Sequence, residues 1–217
     1  MKNIYESKKY YQELKAYLLR KFESDEIEKV YALAPTKYEE VMKKYTIKSS
    51  KEKYHTNRLF PQIGMYKALN EVLSTSGTQE FENFIHEHAL KVGTKLNSLV
   101  NFPNMNKLFL SVAKSKVKSK YGPDSGFTST FVESEKGELK FAITKCPYMY
   151  YCEQEGIKDF VKAFCRCDED CYGNLEKIQF IREGTLPEGA GTCDFCFKVR
   201  DGIPKIDEPK IISGVTK

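Results

Sequence analysis

Along residues 4–22 the apolar positions Tyr10, Leu14, Tyr17, Leu18 and Phe22 recur at intervals of three and four against a Lys/Glu background. That spacing predicts an amphipathic helix with one buried stripe. A second helix is predicted over 25–34, and a third from Thr36, where Thr36 and Glu39 match a capping-box pattern ahead of Val41, Met42 and Tyr45. The polar segment TIKSSKEKYHTN reads as a loop. HTNRLFPQIGMYKALNEVL reads as a helix entered through Pro61, tolerated in a first turn, with Leu59, Ile63, Tyr66, Leu69 and Leu73 inward. A longer helix over 78–100 presents Phe81, Phe84, Ile85, His88, Val92, Leu96 and Leu99 on one side, and another spans 104–118. At YGPDSG, residues 121–126, the period shortens to alternation: FTSTFVE, the turn SEKG and ELKFAITK form a β-hairpin. Helical spacing returns over 154–171, and NLEKIQFIRE and TCDFCFKVR form a second hairpin across the Gly-rich loop GTLPEGAG. The predicted fold is therefore α+β: a helical half, 1–121, packed on a four-stranded antiparallel sheet of ββαββ order, 122–203, in one integrated domain with a tail at 204–217.

Composition adjusts this picture only slightly. With 217 residues and 41% hydrophobic residues the chain can bury a full core. It has no run of about 18 apolar residues to span a bilayer, and its start, MKNIYESKKYYQELK, lacks an apolar signal-peptide region. A cytoplasmic protein with no membrane partner is expected. The net charge is +5, and its one basic run, Lys114, Lys116, Lys118 and Lys120, leads into a Gly-Pro turn without a platform of stacking aromatics. Nucleic acid is thus not an expected partner. Homo-oligomerisation stays open. The seven cysteines are an odd number with no export signal, which favours reduced thiols and leaves metal binding and catalysis as alternatives.

All seven lie between Cys146 and Phe197. On a wheel, Ile157, Phe160, Val161 and Phe164 form the apolar face of the helix beginning at 154, and one further turn brings Asp168 onto that face with Cys165 beside it. Should the helix end at Cys165, Asp168 becomes a solvated turn residue. Alternation in TCDFCFKVR puts Cys193, Phe195 and Phe197 on one face and Asp194, Cys196 and Lys198 on the other. In a regular strand Cys193 and Cys196 then face opposite ways, which weakens a zinc knuckle at Cys193-x-x-Cys196, and a four-cysteine site assembled from loops remains a reading. Ile178, Phe180 and Arg182 share a face, so Arg182 ends an apolar row, suited to a carboxylate or to a local acid such as Glu183 or Asp194. Cys165, Asp168, Arg182, Cys193 and Asp194 are expected to converge where helix meets sheet. His86 and His88 diverge on a helix and make no joint metal site, whereas His55 and Arg58 at a helix entrance are candidate ligand contacts.

Two blocks carry a family resemblance. The first runs Arg58-Leu-Phe-Pro61-Gln-Ile-Gly-Met-Tyr66-Lys-Ala-Leu69; the second holds Gly156, Phe164-Cys165, Asp168, Phe180-x-Arg182, Thr185-Leu186, Gly189 and Cys193-Asp194-Phe195. Together they resemble the L-2-amino-thiazoline-4-carboxylate hydrolase family, and the G-x-x-x-C-D-F ending looks like the last hairpin of the 4-vinyl-reductase small-ligand domains. Cys167, Cys171 and Cys196 lie outside the family's pattern. The resemblance implies a hydrolase, without cofactor, that opens a carbon–nitrogen bond of a small cyclic amidine carboxylate to an S-carbamoyl or N-carbamoyl cysteine. Under it, Cys165 or Cys193 attacks the amidine carbon with a thiol pKa depressed by an arginine, and Asp168 or Asp194 moves protons. Arg182 or Arg58 holds the substrate carboxylate, with Thr185, Tyr66 and His55 as further substrate contacts and main-chain amides of the Gly loop supporting charge. A non-catalytic small-ligand sensor and a Cys-ligated metal protein are the other readings.

Overall fold

The computed structural model describes residues 3–200. Five helices come first: α1 (Ile4–Ser7), α2 (Lys9–Leu18), α3 (Ser24–Lys44), α4 (Ser50–Val100) and α5 (Met105–Lys120). They are followed by β1 (Thr128–Val132), β2 (Glu138–Lys145), α6 (Pro147–Gln154), a 3-10 turn at Lys158–Phe160, α7 (Val161–Tyr172), β3 (Ile178–Ile181), a 3-10 turn at Leu186–Glu188 and β4 (Cys193–Val199). The sheet order is β1-β2-β4-β3, antiparallel throughout. The fold is thus α+β with the helices mainly N-terminal and the four-stranded antiparallel sheet C-terminal, as the periodicity predicts. The expected tail at 204–217 lies outside the described residues.

Several boundaries differ from the sequence reading. The predicted first helix is interrupted at Lys8, whose extended backbone separates α1 from α2, and Tyr5 and Tyr11 are buried where Tyr10 is only partly so. The predicted helices at 25–34 and from Thr36 are one helix, α3, with Pro35 inside it and the Thr36–Glu39 capping pattern unused. A proline in a helix interior costs about 3 kcal/mol. Here it is offset by the stripe Ile27, Val30, Tyr31, Ala34 and Val41, all buried. The predicted loop at 46–57 is mostly helix, because Ser49 caps α4 by accepting the Glu52 N–H at 2.9 Å and because His55 and Thr56 are buried. Pro61 consequently sits inside α4 rather than in its first turn. The two predicted helices at 55–73 and 78–100 run together across a kink at Ser74, which has φ 54° and ψ −148°. Val92 and Leu99, expected inward, are exposed.

Two glycines allow helices to touch backbone to backbone. A Cβ on Gly64 would lie 2.8 Å from the Tyr38 nitrogen on α3. One on Gly93 would lie 2.7 Å from the Asp170 carbonyl on α7, so Gly93 seats α7 directly on α4.

The predicted helix at 154–171 starts later, as α7 at Val161, and an unpredicted helix, α6, precedes it. Pro147 opens α6 at its first position, and Gly156, with φ 73°, ends that segment before the 3-10 turn leads into α7. Ile157 is therefore not helical, but α7 does continue through Asp168 to Tyr172. In the sheet, Ile143 pairs with Cys193, Phe141 with Phe195, and Leu139 with Phe197, and the Phe141 and Phe195 rings stack at 4.7 Å. These residues form the inner face. Glu138, Lys140 and Lys198 form an ion-paired outer face. One apolar cluster unites the helices with α6 and the start of α7, and a second lies between the inner sheet face, α5 and the end of α4.

Candidate functional site

A cavity of about 530 Å³ opens within the second cluster, bounded by α7, the inner sheet face, α5 and the end of α4. Its size falls in the range of roughly 300–1,000 Å³ typical of small-molecule sites. Most of the lining is apolar. The chemistry collects where α7 crosses β3 and β4, through Asp168, Arg182, Cys146, Cys165 and Cys193, joined by Tyr121, Tyr148, Tyr172 and Lys116 elsewhere on the wall.

Asp168 reaches the cavity because α7 does not stop at Cys165. Arg182, just beyond β3, donates from Nη1 to Asp168 Oδ2 at 3.1 Å, and from Nη2 to the Cys165 carbonyl and to Glu169 Oε1, each at 2.8 Å. Its side chain is only 4% exposed and lies 5.7 Å from both the Phe180 and Phe195 ring centres. The guanidinium is thus committed to orienting α7 and Asp168, not to a local acid on its own hairpin. The Asp168 carboxyl keeps 35% of its surface accessible, yet that surface faces the cavity it lines. Burial pushes it up to about 7, with the Arg182 charge and hydrogen bond acting in the opposite direction.

The thiols are also pushed up, contrary to the expected depression. Burial takes Cys165 to about 12 and Cys146 to about 11, and raises Cys193. The nearby Arg182 lowers Cys165 and Cys193 too little to offset this, since its charge is already neutralised by two carboxylates. Cys193 accepts the Leu186 backbone N–H at 3.2 Å, and the backbone N–H groups of Tyr148 and Met149 act on Cys146 in the same lowering sense.

The remaining expected site residues do not line this cavity. Asp194 occupies the outer sheet face as alternation requires, and accepts the N–H groups of Glu183 at 3.0 Å and Gly184 at 2.9 Å, holding the loop after β3. Thr185 is buried and donates to Glu188 at 2.5 Å. Tyr66 packs on Phe160 at 4.3 Å and borders a separate polar depression with Lys37, Lys67 and Glu155. Arg58 is exposed over the Tyr54 ring at 4.1 Å. His55 stands behind the wall. Its Nε2 meets the Lys120 carbonyl at 2.8 Å, which requires that nitrogen to carry the hydrogen, and its Nδ1 faces the Tyr148 hydroxyl at 3.5 Å. Burial lowers its pKa, so it is a neutral support for Tyr121, Phe127 and Tyr148.

Sequence reasoning missed Cys146, Tyr148, Tyr172 and Lys116. Tyr172 was findable, four residues after Asp168 on the same helix face. Lys116 was hidden in a run that reads as a solvated helix end, and Cys146 and Tyr148 by the unpredicted α6. Also missed was His86, whose Nδ1 lies 2.7 Å from Asp170 Oδ2. Asp170 is two residues from Asp168 and so points to the opposite side of α7, where this pair fixes the helix against α4. Among the described residues no group of three or more His, Cys, Asp or Glu is positioned to hold a metal ion. Among them, too, no helix is long and apolar enough to cross a membrane.

An α+β scaffold thus encloses an apolar cavity in which a carboxyl raised by burial is oriented by an arginine, the kind of place where a functional site is sought. The family model for L-2-amino-thiazoline-4-carboxylic acid hydrolase matches residues 54–197, and the chain belongs to that family. No curated protein and no solved structure matches it. The matched region begins on α4 and ends on β4, and includes every element that lines the cavity.

Proposed function

We propose that the cavity is the active site of a hydrolase that opens the ring of a small cyclic amidine carboxylate of the thiazoline type. Besides the family, one observation supports this reading: a carboxyl, Asp168, lines an apolar cavity where burial pushes it up to about 7. General-base catalysis is most effective when the pKa of the base lies near the working pH. As a carboxylate, Asp168 takes a proton from water while the water oxygen bonds to the amidine carbon. The ring carbon–nitrogen bond then breaks, and the same proton passes from Asp168 to the departing nitrogen. Arg182 acts through Asp168 by fixing its orientation. Lys116 lines the cavity and makes no ion pair among the described residues, so it is the cation available to the substrate's carboxylate.

Water fits better than a free thiolate as nucleophile, because burial keeps the three cavity thiols protonated at neutral pH. A thiol route through Cys193 has one observation in its favour, the Leu186 N–H that would stabilise its anion. Hydrolysis of L-2-amino-thiazoline-4-carboxylate and of small cyclic amidines, followed by product mass, separates these routes. Turnover is expected in wild type, Cys165→Ala and Cys193→Ala, with a loss of about 10²–10⁴-fold in Asp168→Asn. Undiminished turnover in Asp168→Asn removes the base assignment. Abolition in Cys193→Ala, together with a covalent adduct in the wild type, transfers the attack to the thiol, and binding without turnover returns the pocket to a sensor.

A further inference from the structure

The cavity is larger and far less polar than a single small ring with a carboxylate demands. Asp168, Arg182 and the thiols sit at one end, between α7 and the β3–β4 hairpin. The other end is walled by the end of α4 and by α5, through residues such as Leu96, Phe109, Ala113 and Val117. Its lip is apolar as well: Leu108 is 51% and Val112 55% exposed, although both also line the cavity. Leu108 and Val112 are four apart on α5, so they form one stripe that leads from solvent into the interior. Water in such a space finds few polar partners, and a small zwitterion bound at Asp168 would leave the apolar half unfilled.

We propose that the substrate is an amphiphile: a cationic cyclic amidine head that pairs with Asp168, carrying an apolar alkyl chain that runs along α5 and leaves between Leu108 and Val112. This rests on the hydrolase reading for its chemistry and on the lining for its shape. Charge complementarity sets the direction: at the inner end the Arg182 charge is already taken up by Asp168 and Glu169, which leaves an excess of carboxylate there, while Lys116 at the lip repels a cationic head.

The test uses the full chain and a series of 2-amino-thiazoline-4-carboxylates bearing N-alkyl groups from methyl to octyl. Each methylene that enters the cavity is expected to raise kcat/KM about fourfold, corresponding to about 0.8 kcal/mol, until the chain reaches the lip. Ala113→Trp fills the apolar end, and Leu108→Asp charges the exposed lip without touching the core; each is expected to flatten that slope. Calorimetric titration with straight-chain alkylamidinium salts reads the pocket without catalysis, and affinity is expected to increase with chain length. Hydrolysis of the bare ring with no gain along the series overturns the amphiphile and spares the hydrolase. Length-dependent amidinium binding with no ring opened at any length overturns the hydrolase and supports the amphiphilic pocket. Affinity and turnover that both ignore chain length, or slopes unchanged in both variants, refute the proposal.

Discussion

Asp168 sits in an environment that opposes the ionisation usual for a carboxyl. Its proton is held up to about 7 by burial, so folding favours the neutral form. The associated stability is fully present below the ordinary carboxylate range and is lost as pH rises through about 7. Two outcomes follow. The melting temperature of wild type should fall between pH 5 and pH 8 relative to that of Asp168→Asn, as read by thermal unfolding at matched ionic strength. Over the same interval kcat/KM should rise with Asp168 ionisation, and that limb should vanish in the variant. The thiols give the opposite signature. With Cys165 pushed up to about 12 and Cys146 to about 11, native protein at pH 7 should react with iodoacetamide much more slowly than a free cysteine, measured by mass of labelled peptides. Rapid labelling of Cys165 would contradict the burial argument.

At the scale of elements, the site depends on how α7 is held. One of its sides meets α4 at Gly93 and through the His86–Asp170 contact at 2.7 Å; the other presents Asp168 and the Cys165 carbonyl to Arg182. A Gly to Ala change inside a helix ordinarily gains up to about 1 kcal/mol. At Gly93 the sign should reverse, because the new Cβ would meet backbone oxygens of Asp170 at 2.7 Å and Cys171 at 2.9 Å, which cannot rotate away. Gly93→Ala is expected to cost about 1–3 kcal/mol in chemical denaturation and to lower activity by displacing α7. Stability equal to or above wild type would show that the helices can separate freely. Sequence periodicity located α7's inner face correctly, but not its start: Pro147 and Gly156 are the signals of a separate α6, and the helical spacing of Ile157 with Phe160, Val161 and Phe164 carried the predicted helix back past Gly156.

For the whole molecule, Glu155 joins segments far apart in the chain. Buried after α6, it accepts from Tyr45 at 2.6 Å and Lys44 at 2.8 Å, near the end of α3, and from Lys67 on α4. Burial alone would raise its pKa, but these donors outweigh it and hold the carboxyl down at about 2. That stability is present above the ordinary carboxylate range and is lost as pH falls toward 2. Glu155→Gln should therefore cost about 1–3 kcal/mol at pH 7 and much less near pH 3, measured by denaturant unfolding at both pH values. A cost independent of pH would refute the charge argument. The sequence by itself determined the α+β order of elements, the sides of β4 on which Cys193 and Asp194 lie, and the side of α7 that Asp168 shares with its apolar neighbours. These follow from local periodicity, which needs only near neighbours along the chain. Only the tertiary structure decided that Arg182 spends its donors on Asp168, Glu169 and the Cys165 carbonyl, that Arg58 and Tyr66 lie elsewhere, and that α5 with the end of α4 closes the far wall. Burial and partnership depend on segments distant in sequence, and it is burial that raises both the Asp168 carboxyl and the thiols beside it.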